Sequence, residues 1–258
     1  MKRVILSVVA GLTLGVSIAQ AAEVPSVNIV GFKRIPVPSK SAVAKGWTIT
    51  GVQFVPFDPT LNGVIDPNSL VSITSMTPLS DAAYIYDPGL GTYASRLSVY
   101  SNSTSHLKYW TSWASWGLAY TNSMYVGQGF WLYSNKTNVR DTALAGEALL
   151  QGAYTNPIIA NFQMVCYPYA MDVGVTNMNL TNGVTSFTGA TSDKIYVYDT
   201  TTGIYKTYAW MKRGTAAPYW GSVGSASATT DIIPIGTGFW YEHKSTGFLW
   251  IAPRPYLN

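Results

Sequence analysis

The sequence predicts an all-β protein built as two tandem, homologous units of antiparallel strands, each a β-sandwich or barrel-like. Three observations predict it. The run Gly127-Gln128-Gly129-Phe130-Trp131-Leu132-Tyr133 returns as Gly236-Thr237-Gly238-Phe239-Trp240-Tyr241-Glu242. Ahead of each copy stands a Tyr-x-Tyr-Asp segment, Tyr84 to Asp87 and Tyr196 to Asp199, followed by Gly91-Thr92-Tyr93 and Gly203-Ile204-Tyr205 at matching spacing. Composition is the third. The chain carries 18 Tyr and 9 Trp, and only 11% of its residues are charged, against roughly 25% in an average soluble domain. Aromatic and hydroxyl side chains suit half-buried strands.

The first residues read Met1-Lys2-Arg3, an apolar run from Val4 to Ile18, then Ala19-Gln20-Ala21. A basic start, a short apolar core and small residues before the cut describe a secretory signal peptide, residues 1–21. A membrane anchor would need ~20 apolar residues, and Gly11, Gly15 and Ser17 interrupt this shorter run. No lipobox cysteine follows, so neither a lipid anchor nor a membrane span is expected after cleavage. Without Lys2 and Arg3 the 16 basic residues fall to 14, against 12 acidic ones. No Lys/Arg cluster marks a nucleic-acid face. So low a charge leaves little repulsion between copies. Cys166 is the one cysteine, which excludes an intramolecular disulfide. It reads as a small buried hydrophobe.

The first unit is expected over 22–152 and the second over 153–258. Val27 to Val37 reads as a strand closed by Pro36 and Pro38, because proline cannot donate to a ladder. Gly46 to Val52 alternates apolar and polar residues, the period of a strand with one dry face. Asn161 to Cys166 is its counterpart. Residues 58–80 and 172–192 are rich in Asn, Thr, Gly and Pro and read as loops, with one short strand apiece. Two hairpins follow. Tyr84-Ile85-Tyr86 and Tyr196-Val197-Tyr198 are strong strand formers. Asp87 and Asp199 bond the backbone ahead while Gly91 and Gly203 take positive φ. A calcium loop is the alternative for these Asp residues, but Pro, Gly, Leu and plain Thr occupy the positions that would supply oxygen ligands. The pairs Trp116-Gly117 and Trp220-Gly221 are read as equivalent. Residues 142–151 have helical propensity, yet the duplication sets them against the strand Phe248 to Ile251.

Gly127, Gly129, Gly236 and Gly238 could suggest a phosphate loop, which places glycines between a strand and a helix. Here aromatic strand formers follow, so the glycines read as bends leaving room for the large Phe and Trp. On that reading Trp131 and Trp240 are largely buried and each holds the core of its own unit.

The residues quoted above resemble those of the exported tandem-repeat all-β proteins of Verrucomicrobia-type bacteria. The likeness extends to an opening such as Asn28-Ile29-Val30-Gly31-Phe32, a connector Gly146-Glu147-x-x-Leu150-Gln151-Gly152 and an ending such as Arg254-Pro255-Tyr256. This chain departs from them at Asn161-Phe162 and at Val126. The resemblance implies the fold and export, and implies no reaction.

Chemistry is sparse. His106 and His243 are far apart, and no Cys/His cluster of the zinc type exists. No Gly-x-Ser-x-Gly elbow occurs. Glutamate appears at Glu23, Glu147 and Glu242 alone, and the repeat-related pair Asp87 and Asp199 would sit on separate turn tips rather than about 5–5.5 Å apart as a retaining glycosidase requires. No enzyme activity, cofactor or metal is expected. One cluster stands out, Tyr109-Trp110-Thr111-Ser112-Trp113-Ala114-Ser115-Trp116. Tryptophans three apart cannot share one face of a regular strand. Tyr109, Trp110, Trp113 and Trp116 are therefore the candidate ligand or interface residues, either a sugar-stacking platform or an adhesive patch, with core filling across a bulge as the alternative. The expected function is that of a structural or adhesive protein at the cell surface or in an extracellular assembly. It would self-associate or attach to other surface proteins. The second expectation is a carbohydrate-binding module that holds polysaccharide through the aromatic cluster.

Overall fold

Phe130 and Trp131 are neighbours in one strand, so their side chains leave opposite faces of the sheet. Phe239 and Trp240 repeat this. That alternation separates the apolar layers of the molecule. The computed structural model describes residues 30–40, 46–75, 79–150, 152–181 and 183–255. The leader, Glu23, residues 27–29 of the expected first strand, Gln151 and Tyr256 lie outside the described residues.

The first half contributes β1 (Val30–Val37), β2 (Trp47–Gly51), β3 (Phe54–Val55), β4 (Ala82–Asp87), β5 (Thr92–Ser101), β6 (Lys108–Ser112), β7 (Gly129–Tyr133) and β8 (Arg140–Ala148). They form a five-stranded sheet of order β2-β7-β4-β5-β6 and a smaller sheet, β1-β8-β3. The second half contributes β9 (Ala153–Ile158), β10 (Asn161–Cys166), β11 (Val173–Gly174), β12 (Lys194–Asp199), β13 (Ile204–Met211), β14 (Tyr219–Ser222), β15 (Ile232–Ile233), β16 (Gly238–His243) and β17 (Phe248–Pro253). Its five-stranded sheet runs β10-β16-β12-β13-β14, beside the pairs β17-β9 and β11-β15. The ladders between named strands are antiparallel. The fold is all-β, as the composition predicts.

The two five-stranded sheets share one strand order, and their registers match around the motif strands, while β4–β5 carries a shift at Ile85/Tyr86 that β12–β13 lacks. Trp131 lies opposite Ile49 and Tyr84, and Trp240 lies opposite Met164 and Tyr196. Each sheet packs one face on its own small sheet. Phe130, Leu97 and Trp110 meet Ile35 of β1 and Leu144 of β8 in the first core. Phe239, Ile195 and Trp220 meet Ile158 of β9 and Trp250 of β17 in the second. A third cluster, Ile49, Trp131 and Met164, lies between the halves. The chain therefore has two cores and a junction layer.

Residues 140–148 are strand, not helix. β8 is bonded on both sides, to β1 and to β3, and a Cβ on Gly146 would overlap the Val55 carbonyl oxygen. Ladder bonds and burial outweigh helical propensity there. The loops differ from expectation. The first holds a helical turn, α1 (Leu61–Val64), and a 3-10 turn, Pro67–Ser69, in place of a named strand. Among the described residues only the second has a short strand, β11. The pairing of Trp116-Gly117 with Trp220-Gly221 is also corrected. Trp110 faces Val99 across its ladder as Trp220 faces Trp210. Trp110 donates Nε1–H to the Ile65 carbonyl at 3.2 Å, and Trp220 donates to that of Leu180 at 3.0 Å.

Candidate functional site

The repeated Gly-x-Gly motifs meet at the junction. Gly127 and Gly236 turn with φ of 83° and 80°, a conformation that favours glycine. Each then offers its carbonyl to the other half. Cys166 N–H donates to Gly127 O at 2.9 Å, and Gly51 N–H donates to Gly236 O at 3.2 Å. A Cβ on Gly129 would stand 2.9 Å from the Val165 carbonyl oxygen, and one on Gly238 would overlap that of Thr50. Gly129 and Gly238 therefore clear space for the backbone of the opposite half, which corrects the expectation that they accommodate the adjacent Phe and Trp.

Gly51 and Cys166 touch at the centre of this strap. They end equivalent strands, and a Cβ on Gly51 would overlap the Cys166 side chain. Cys166 is fully buried, and burial pushes its thiol up. A thiol so placed is not a nucleophile, and the small-hydrophobe reading stands.

An aromatic layer covers the strap. Trp131 meets Tyr198 and Tyr205 of the second half at ring-centroid distances of 5.0 and 6.4 Å. Trp240 meets Tyr86 and Tyr93 of the first at 4.7 and 6.3 Å. All four contacts are near perpendicular, the favoured edge-to-face geometry. Each motif tryptophan thus packs on the other half's hairpin. Trp131 is buried and Trp240 half-buried. The expectation that they hold their own cores is corrected, since the fully buried Phe130 and Phe239 do so. On one side of the layer Trp47, Tyr84, Tyr93, Trp131 and the incoming Tyr198 line a cavity of about 390 Å³.

The Asp turns form as expected. Asp87 Oδ1 accepts from the backbone N–H groups of Gly89 and Leu90 at 2.9 and 3.1 Å. Asp199 Oδ1 accepts from those of Thr201 and Thr202 at 2.8 and 3.3 Å. The Thr201 bond leads in holding the Asp199 carboxyl below its ordinary range. Gly91 and Gly203 take positive φ.

The run from Tyr109 to Trp116 is not one platform. Trp110 is fully buried in the first core and cannot meet a ligand, which corrects its place among the candidate residues. β6 ends at Ser112, so Trp113 and Trp116 belong to the turn that follows. Tyr109 donates its hydroxyl to the Gly117 carbonyl at 2.7 Å. Trp116 packs edge-on against Tyr100 at 5.3 Å. Trp113, 41% exposed, donates Nε1–H to Ser98 Oγ at 3.3 Å, with the Arg96 guanidinium 5.5 Å from its ring centroid.

Two carboxylates went unremarked in the sequence, Asp81 and Asp193, each three residues before the repeated Tyr. Both are fully buried. Asp81 accepts the backbone N–H groups of Val71 and Asn135 at 2.8 and 2.9 Å and pairs with Arg140 Nη1 at 2.8 Å. Asp193 accepts the Lys244 N–H at 2.9 Å and the Tyr241 hydroxyl at 2.5 Å, and its Oδ2 lies 2.6 Å from His243 Nδ1. His243 Nε2 is 2.7 Å from the Thr246 carbonyl. Both ring nitrogens are engaged in a buried site, so neither is free to act as a base. Glu242 stands nearby, bonded to Tyr196, Lys244 and Lys194. Burial opposes its ionisation, but the bonds from Lys244 and Tyr196 outweigh it and hold the carboxyl low.

Among the described residues, no group of three or more His, Cys, Asp or Glu is placed to hold a metal ion, and no helix is long and apolar enough to cross a membrane. Comparison with protein-family models, with curated proteins and with solved structures finds no match.

Proposed function

We propose that this chain is an exported, non-enzymatic structural or adhesive protein of the cell surface or an extracellular assembly, acting by self-association or attachment. The observation that carries the reading is the edge strand β1. Among the described residues it pairs with β8 alone, and it turns Val30 and Phe32 outward, 63% and 76% exposed. An unpaired edge with large apolar side chains is a template for pairing with another chain. The low charge and the secretory leader pattern support the same reading. A non-enzymatic role draws support from the buried Asp193–His243 pair, which is consumed by structural bonds. The shared strand order and the matching register around the motif strands favour a tandem duplication as the origin of the two halves.

Mass photometry with electron microscopy of the mature protein tests self-association. The expected result is oligomers that grow with concentration and that Phe32→Lys disperses. A wild type that stays monomeric at high concentration overturns the reading. The second reading, a carbohydrate-binding module on the 109–116 cluster, is weakened by the burial of Trp110 and keeps Trp113 as its one exposed tryptophan.

A further inference from the structure

We infer that the cavity at the junction, rather than the 109–116 cluster, is a binding site for the pyranose rings of a neutral glycan. The inference stands apart from self-association through β1. Its lining consists of five aromatic side chains, Trp47, Tyr84, Tyr93, Trp131 and Tyr198, and its volume of about 390 Å³ falls in the small-ligand range of roughly 300–1,000 Å³.

The shape comes first. Trp47 meets Tyr84 at 48° and Trp131 at 79°, with centroids 5.3 and 5.6 Å apart. Tyr84 meets Tyr93 at 78°, and Trp131 meets Tyr198 at 75°. Three of these ring pairs are propped edge to face and one is tilted, so none of the four is stacked. The cup is preformed in the protein itself, which lowers the ordering cost of binding.

The chemistry then selects the guest. Aromatic faces attract cations, flat rings and the C–H faces of sugars. A cation is opposed by Arg96, which lies directly opposite Tyr84 in the ladder. Its charge acts on the Tyr84 phenol. A flat aromatic guest could add further edge-to-face contacts but would leave the phenol hydroxyls without partners. A pyranose presents C–H faces to the indoles and hydroxyls to the three phenols. Those phenols keep their protons, since burial pushes Tyr93 up to about 12 and raises Tyr84 and Tyr198.

The second half holds a related cluster. Phe162 and Tyr196 contact each other, Phe162 also contacts Trp240, and Trp240 contacts Tyr86. Phe162 stands there where the first half has Trp47, since both face the residue after the motif Leu132 or Tyr241, namely Tyr133 and Glu242. The Trp47→Phe variant therefore imports a side chain that the fold already tolerates at the equivalent place.

The test is a neutral-glycan array followed by titration of mature full-length protein with the oligosaccharides that bind, read by tryptophan emission and calorimetry. Tetramethylammonium and indole serve as competing probes. Wild type is expected to bind one or more neutral glycans with a change in emission. Trp47→Phe and Tyr93→Phe, with melting temperatures checked, should each weaken binding at least tenfold, and Trp113→Ala should leave it unchanged. If Tyr93→Phe proves unstable, Tyr198→Phe takes its place. The inference is overturned if no neutral glycan binds, if tetramethylammonium or indole binds instead, or if Trp113→Ala abolishes binding that Trp47→Phe retains.

Discussion

Asp81 and Asp193 occupy the same place in the two halves and are satisfied there by different partners. Both lie just before the first strand of the Tyr-x-Tyr hairpin. Both accept the backbone N–H two residues past the motif strand β7 or the last residue's successor on β16, Asn135 in one half and Lys244 in the other. The first carboxylate is neutralised by Arg140, the second is shared by His243 and Tyr241. The position thus demands a buried acceptor for backbone donors, and the source of compensating charge is free to vary. A guanidinium stays charged whatever happens to its partner.

That difference sets the largest expected effect. Asp81→Asn leaves the largely buried Arg140 without its counter-charge, and breaking such a pair costs about 3–5 kcal/mol. Asp193→Asn should cost less, about 1.5–3 kcal/mol for the weakened bonds from His243, Tyr241 and the Lys244 N–H, because no guanidinium is left buried without a partner. Chemical denaturation of the two variants checks the ranking. Equal losses would show that the identity of the side-chain partner is irrelevant and would break the comparison.

The strap offers a sharper contrast at intermediate magnitude. Gly51 and Cys166 are equivalent positions with room for one side chain between them. Gly51→Ala is expected to destabilise by about 1–3 kcal/mol through overpacking, and adding Cys166→Gly should recover most of that loss. A double-mutant cycle reads the coupling. Strict additivity would mean that the two residues do not compete for one space.

The smallest effect belongs to Trp113. It is partly exposed and holds one hydrogen bond, about 0.5–1.5 kcal/mol, and a cation–π contact, about 0.5–1 kcal/mol, so Trp113→Ala should lower the stability read from thermal melts by about 1–2 kcal/mol. Trp110→Ala, in contrast, removes a buried ring at about 3–5 kcal/mol. Comparable losses from both would return Trp113 to the core.

Much of this was legible from local pattern. The hairpin strands and their Asp turns follow from aromatic and β-branched runs closed by Asp and Gly. Even the departure at Asn161 has a local reason: its φ is 71°, beside 73° at Gly46, and Asn tolerates that region better than other residues with a side chain. The repeated Asp81 and Asp193 were visible as well, at equal distances before Tyr84 and Tyr196. Nothing in their surroundings distinguished a buried anchor from an ordinary turn residue. Trp116-Gly117 misled because a dipeptide match carries no register, whereas ladder pairing aligns Trp110 with Trp220.

The sequence by itself determined the all-β class, the hairpins and the opposite facing of each Phe-Trp pair, because side-chain period and turn chemistry are properties of a few consecutive residues. Only the tertiary structure decided which face of each sheet is core and which is junction. It also decided that the second glycine of each motif clears the other half's backbone, and that Trp131 and Trp240 cross to the opposite hairpin. These depend on contacts between residues far apart in the chain, from Gly129 against Val165 to Gly238 against Thr50, where alternation supplies the direction of a side chain but not its partner.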